Sequence, residues 1–237
     1  MSADPLFSIV LPCYNPLTGW EKTITDNLAL IKNKSPEFEL IIVNDGSIKN
    51  FNENEVRGFF SSYPEVKLLS YSENRGKGYA LRQGVKAAAG EIIIYTDVDF
   101  PYTTDSFYKI YNALADGRSD VAIGIRGEEY YTHLPRSRTR ISKLLRYFIK
   151  RLLRIPTDDT QCGLKGFNQR GREVFLQTTI DRYLFDLEFI FTTSRKKLVL
   201  QTVEVQLRPE VQLSAMNWKI LLQELGNFLK IVFRSKT

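Results

Sequence analysis

Two carboxylates one residue apart, Asp97 and Asp99, follow the apolar run Ile92-Ile93-Ile94-Tyr95-Thr96. A run of that kind, preceded by the helix-stopping Gly90, reads as a buried parallel strand. The carboxylates then stand at the strand's carboxyl end, where open α/β sheets bind ligands. Paired hard oxygens in such a crevice suit a divalent cation that also holds a pyrophosphate. Lys77 lies where a loop opens onto a helix, flanked by Gly76 and Gly78. Small residues let backbone approach a phosphate and the helix start attracts the anion, although the glycines serve equally well in a plain turn. Tyr14 offers a flat face for a nucleobase. Asp45 offers an acceptor for a ring N–H or a ribose hydroxyl, while Asn44-Asp45-Gly46 also has ordinary turn composition.

These groups need a frame, and the chain supplies alternating strand-like and helix-like stretches. Strands are expected at 7–11, 38–43, 66–70, 91–96 and 120–124, and helices at 20–31, 54–63, 77–89 and 104–115, with Thr104 as an N-cap. Such alternation implies right-handed βαβ crossovers and a parallel sheet. After Arg126 the pattern changes. Residues 127–138 read as an aperiodic loop and 144–154 as a basic amphipathic helix. Residues 161–167 form a return segment, followed by two helices and a strand over 198–207. The tail 218–233 carries a helical apolar stripe. No repeat or Pro/Gly linker divides the 237 residues, so one domain over 1–237 is expected, with a donor half to about 126 and an acceptor half over about 127–215.

Composition narrows the chemistry. His133 is the single histidine, which argues against a histidine-built zinc site or a Ser-His-Asp triad. Cys13 and Cys162 lack metal-ligand spacing and are too few for a disulfide framework. Without a signal-peptide pattern they are expected as reduced cytosolic thiols. No apolar stretch reaches the roughly 20 residues that cross a bilayer. The net charge is +6, but nine Lys/Arg against Glu128 and Glu129 between Arg126 and Arg154 account for more than all of it. One local basic patch points to a specific anionic partner rather than to general nucleic-acid affinity. Its residues also lack the interleaved aromatics of a nucleic-acid groove.

Four segments at predicted strand ends, Pro12-Cys13-Tyr14-Asn15, Asn44-Asp45-Gly46-Ser47, Asn74-Arg75-Gly76-Lys77-Gly78 and Asp97-Val98-Asp99, occur in an order that resembles family 2 glycosyltransferases of the Rossmann-like GT-A fold. With residues 159–167 and 183–188 included, the chain looks like the polyprenyl-phosphate sugar synthases, such as dolichyl-phosphate glucose and mannose synthases. The resemblance covers about residues 7–215. It implies a metal-dependent transferase that moves a hexose from a UDP- or GDP-sugar to a dolichyl or undecaprenyl phosphate. It assigns Pro12, Tyr14, Asn15, Asp45, Lys77 and Asp97 to the donor nucleotide. Asp99 becomes the direct ligand of magnesium or manganese, with Asp97 on ribose or a water-mediated metal contact. Arg126, Arg138, Ser142 and Arg208 fall to the acceptor phosphate, and Asp159 to orienting the acceptor region.

The acceptor bears on mechanism. A phosphate monoester has its second pKa near ~6 and arrives anionic, so it can attack the anomeric carbon without a base, inverting the sugar. A hydroxyl acceptor, in polysaccharide or glycolipid assembly, needs a positioned carboxylate from among Asp158, Asp159, Asp186 and Glu188. A basic binding protein with a vestigial donor site is the third reading. Two departures from the family stand out. Pro16 occupies the place of the usual glutamate after the Tyr-Asn pair, with Glu21 following only after an insertion. Many members also carry transmembrane helices, so here the segments 144–154 and 218–233 are expected to meet a membrane surface peripherally, on its inner, cytoplasmic face. Packing of the tail stripe on the sheet is the equal alternative.

Overall fold

A computed structural model describes residues 5–35, 37–127, 151, 153, 155–157, 159–209, 224, 226–229, 231 and 232. Apolar runs form the centre of the sheet. Strands β1 (Phe7–Cys13), β2 (Phe38–Asp45) and β4 (Ile92–Tyr95) are almost wholly buried, as parallel strands covered on both faces must be. With β3 (Val66–Tyr71), β5 (Val121–Arg126), β6 (Lys165–Phe167) and β7 (Leu200–Val205) they make one seven-stranded sheet in the order β3-β2-β1-β4-β6-β5-β7. β6 runs antiparallel to both neighbours, and every other pairing is parallel. The mostly parallel α/β sheet expected from the sequence is present.

The helices divide between the faces according to the two-residue alternation of the strands. α1 (Trp20–Lys34), α2 (Glu53–Phe59) and α4 (Thr104–Ala115) cover the side of Phe7, Ile9 and Leu11. α3 (Lys77–Ala87), α5 (Gln169–Leu176) and α6 (Phe185–Arg195) cover the side of Val10, Ile41 and Val43. Helix α1 buries Trp20, Ile24, Leu28 and Ile31, the stripe that its sequence spacing announces.

Local signals shift some boundaries. α4 is capped by Thr103 rather than Thr104, because the Thr103 hydroxyl accepts from the Ser106 N–H at 3.2 Å. The helix expected over 54–63 ends as a 3-10 turn, Phe60–Ser62. β7 is followed by Gln206–Arg208, which folds against the segment entering α4. Thr103 N–H donates to the Gln206 carbonyl, and Arg208 N–H to that of Pro101. Nearly all of the 127–138 loop, most of the basic 144–154 helix and most of the 218–233 stripe lie outside the described residues. So do Arg138, Ser142 and Asp158.

Candidate active site

The strand order changes direction between β1 and β4: β2 and β3 extend one way from β1, while β4 lies on its other side. A crevice opens beyond the carboxyl ends at such a point. A cavity of about 440 Å³ lies there. Pro12, Cys13 and Tyr14 line it from β1, Asp45 from β2, and Asn74, Gly76 and Lys77 from the start of α3. Asp97 and Val98 line it from β4, and Arg182 and Tyr183 from the turn before α6. Five of the six expected donor residues therefore converge on one cavity.

Asp97 forms an ion pair with Lys77, which is the first residue of α3. The chain then turns sharply: Phe100 N–H donates to the Asp97 carbonyl at 3.0 Å, and buried Phe100 takes a φ of 45°. That is a strained angle for a bulky residue, and it leaves Asp99 exposed at the rim. Partial loss of water on its cavity side, and then the charge of Asp97, raises the Asp99 pKa above its ordinary value, despite Lys77 and Arg208 nearby. Two carboxyl groups in mutual repulsion, both oxygen donors, form a site that a hard divalent cation would relieve. Asp99 and Asp97 therefore fit such an ion.

Arg208 is tied to the same turn. Its guanidinium donates to the Asp99 carbonyl at 2.7 Å. Arg126 stands at the end of β5, where its Nε and Nη2 form a two-point contact with the Asp159 carboxylate, at 2.8 and 2.6 Å. The Arg126 backbone N–H adds a third bond to Asp159, at 3.1 Å. Asp159 is buried, so its carboxylate serves to hold Arg126.

Asp45 and Asn15 are used within the protein. The Asp45 carboxylate is 3% exposed and accepts four hydrogen bonds. These come from the Tyr71 hydroxyl and Arg75 N–H on one oxygen, and from the Asn74 amide and Gly76 N–H on the other. It thereby pins the loop that delivers Lys77. Asn15, at φ 46°, accepts from the N–H groups of Ile48 and Lys49, joining the loops after β1 and β2. Glu21, displaced in sequence by the insertion, comes back near the end of β1. Burial, and then the Glu21 charge, pushes the Cys13 thiol up to about 12 against a hydrogen bond with Ser47.

Arg182 and Tyr183 complete the cavity and were not assigned a role from sequence. Both are exposed side chains in a turn far along the chain from the other lining groups, and only its docking on α3 brings them in. That docking is visible as the N–H groups of Gly78 and Tyr79 donating to the Asp181 carbonyl at 2.7 and 3.2 Å.

Comparison with known proteins identifies the family and the fold. The family model described as Glycosyl transferase family 2 matches residues 8–175. The dolichyl-phosphate beta-glucosyltransferase of Saccharomyces cerevisiae is 28% identical over 218 residues, covering 84% of this chain and 65% of the relative. That of Drosophila melanogaster is 29% identical over 220 residues, covering 84% and 66%. The chain thus spans about 65% of the length of these relatives. Among solved structures, mannosyl-3-phosphoglycerate synthase from Rubrobacter xylanophilus superposes with a TM-score of 0.67 at 17% identity, over 97% of this chain and 73% of that one. Glucosyl-3-phosphoglycerate synthase from Mycobacterium tuberculosis, in complex with Mn2+, UDP and glucosyl-3-phosphoglycerate, gives 0.62 at 18%, over 98% and 78%. At such identities the likeness concerns the fold, which is GT-A.

Proposed function

The chain belongs to glycosyl transferase family 2, and from that premise we propose that it is an inverting, metal-dependent glycosyltransferase. It moves a hexose from a nucleotide-diphosphate sugar to a polyprenyl phosphate at a membrane surface. One observation carries this reading. A turn bearing Asp97 and Asp99 stands at the switch point of the sheet, with Lys77 paired to the first carboxylate and Arg208 bonded to the backbone of the second. Anion-binding and cation-binding groups thus meet at one rim. The names of the curated relatives favour glucose and dolichyl phosphate for sugar and acceptor.

In this mechanism Tyr14 stacks on the base, and Asp45 and Asn15 hold the loops that shape the donor pocket. Lys77, at the start of α3, binds the diphosphate with the aid of the helix dipole. Asp99 and Asp97 would hold magnesium or manganese, and the ion would supply charge neutralisation for the departing nucleoside diphosphate. Arg208, Arg126 and, outside the described residues, Arg138 and Ser142 hold the acceptor phosphate. Guanidinium forks suit that group. A phosphate oxygen attacks the anomeric carbon as the bond to the diphosphate breaks, and the electron pair leaves with the diphosphate. The acceptor carries no proton that must be removed, so no base is required. The burial of Asp159 against Arg126 weighs against the hydroxyl-acceptor reading, because that carboxylate is already committed. Among the described residues no helix is long and apolar enough to cross a membrane.

The test is transfer from radiolabelled UDP-glucose or GDP-mannose to dolichyl or undecaprenyl phosphate in detergent, with and without manganese. Lipid-linked sugar is expected from the wild type, with a loss of at least about 100-fold in Asp99→Ala. Wild-type turnover in that variant would end the metal assignment. Transfer to hydroxyl acceptors alone would end the acceptor assignment.

A further inference from the structure

Lys165 is fully buried in β6, which runs antiparallel to both its neighbours, opposite Tyr95 of β4. An ammonium group is costly to bury unless it is paired, and this one has two partners. Its Nζ contacts the Cys162 carbonyl and lies 3.0 Å from Asp186 Oδ1, while also sitting 5.7 Å from the centroid of the Tyr95 ring. The Tyr95 hydroxyl donates to the same Asp186 oxygen. Asp186, in the first turn of α6, is only 7% exposed. An apolar trio would fill this space at no electrostatic cost, so the position of the charges invites a functional explanation.

Each member of the cluster adjoins an element that sets the Lys77–Asp97 pair. Tyr95 is the last residue of β4, two residues before Asp97. Cys162 precedes Gly163, which lies so close to Asp97 that a Cβ there would be 2.7 Å from Oδ2. Asp186 follows Phe185, which presses on Gly78, next to Lys77; a Cβ on Gly78 would fall 2.7 Å from that of Phe185.

We propose that Lys165 and Asp186 are positioning residues: a buried ion pair beneath the donor pocket that fixes the segments carrying Lys77 and Asp97, and with them the Lys77–Asp97 pair. The catalytic consequence rests on the glycosyltransferase reading above, while the positioning itself does not. Neither residue is required to touch substrate.

The experiment replaces the whole cluster with apolar groups of similar volume, as K165M/Y95F/D186L, which keeps the packing while removing the charges. Lys77 is acetylated by acetic anhydride at a single pH, and its rate is read by mass spectrometry against exposed Lys49 and Lys197. With the cluster gone, Lys77 is expected to label at least about fivefold faster, and sugar transfer to show a kcat reduced about tenfold or more at a near-normal melting temperature. A folded variant with unchanged Lys77 labelling overturns the proposal. If the triple variant does not fold, Y95F alone, which removes only the hydrogen bond to Asp186, must still raise Lys77 labelling about twofold, and unchanged labelling there overturns the proposal equally. The labelling result stands whether or not the wild type transfers a sugar. Absent transfer with altered labelling would therefore indict the proposed function and not the positioning role.

Discussion

Asp45→Asn is nearly isosteric, and its consequences can be worked through atom by atom. The carboxylate receives two donors on each oxygen, among them two backbone N–H groups, of Arg75 and Gly76. An amide has one oxygen, so its NH2 must face one of these donor pairs. If it replaces the oxygen facing Tyr71, the phenol can turn to accept, and the Arg75 N–H is stranded. If it replaces the other, Asn74 can flip its own amide, and the Gly76 N–H is stranded. One stranded buried donor costs about 1–3 kcal/mol, and each remaining bond loses the extra strength of a charged acceptor, together about 3–4 kcal/mol. For a chain of this size that corresponds to a fall in melting temperature of roughly 10 °C. Because the same bonds hold the loop entering α3, calorimetric affinity for UDP with manganese should also fall. Tyr71→Phe is the control. It removes one bond to the carboxylate, about 1.5 kcal/mol, and leaves both backbone donors satisfied. A melting temperature within about 1 °C of wild type for Asp45→Asn would refute this account of the loop.

Three further outcomes are expected. Glu39 is buried on β2, opposite Ser8 of β1; burial alone would raise its pKa, but Lys67 at 2.6 Å, the Ser8 hydroxyl at 2.6 Å and the Ala89 N–H hold it below the ordinary 4.5. The folded state therefore favours the ionised form. That stability is present above pH 4.5 and is lost as the pH falls through the lower folded value. Glu39→Gln should cost about 1–3 kcal/mol at neutral pH and flatten the acid limb of a urea-denaturation series, and an unchanged limb would count against it. Gly163→Ala places a methyl 2.7 Å from Asp97 Oδ2, so the carboxylate must swing away from Lys77. Donor binding or turnover should fall about tenfold, and wild-type kinetics would contradict the geometry. Asp159→Asn weakens the buried two-point contact to Arg126, with a cost of about 3 kcal/mol in thermal unfolding. Loss of turnover at undiminished stability would instead make Asp159 a catalytic base.

The amino-acid sequence by itself determined the order and type of most elements. Buried parallel strands need apolar runs, and 40–43 and 92–95 supply them. Amphipathic helices repeat their apolar face, as Trp20, Ile24, Leu28 and Ile31 do. It also placed Tyr14, Asp45, Lys77 and Asp97 at strand or helix ends, because the chemistry of an open sheet gathers there. Tertiary structure alone decided which groups meet. The antiparallel insertion of β6 between β4 and β5 puts Lys165 against Tyr95, and nothing in a three-residue segment announces that register. The docking of residues 181–185 on α3 adds Arg182 and Tyr183 to the cavity. The pairing of Gln206–Arg208 with the segment entering α4 carries Arg208 to Asp99, 109 residues away. The division has a physical cause. Periodicity and capping are local properties that neighbouring residues express, whereas partners for a buried charge are chosen by packing between segments distant in the chain.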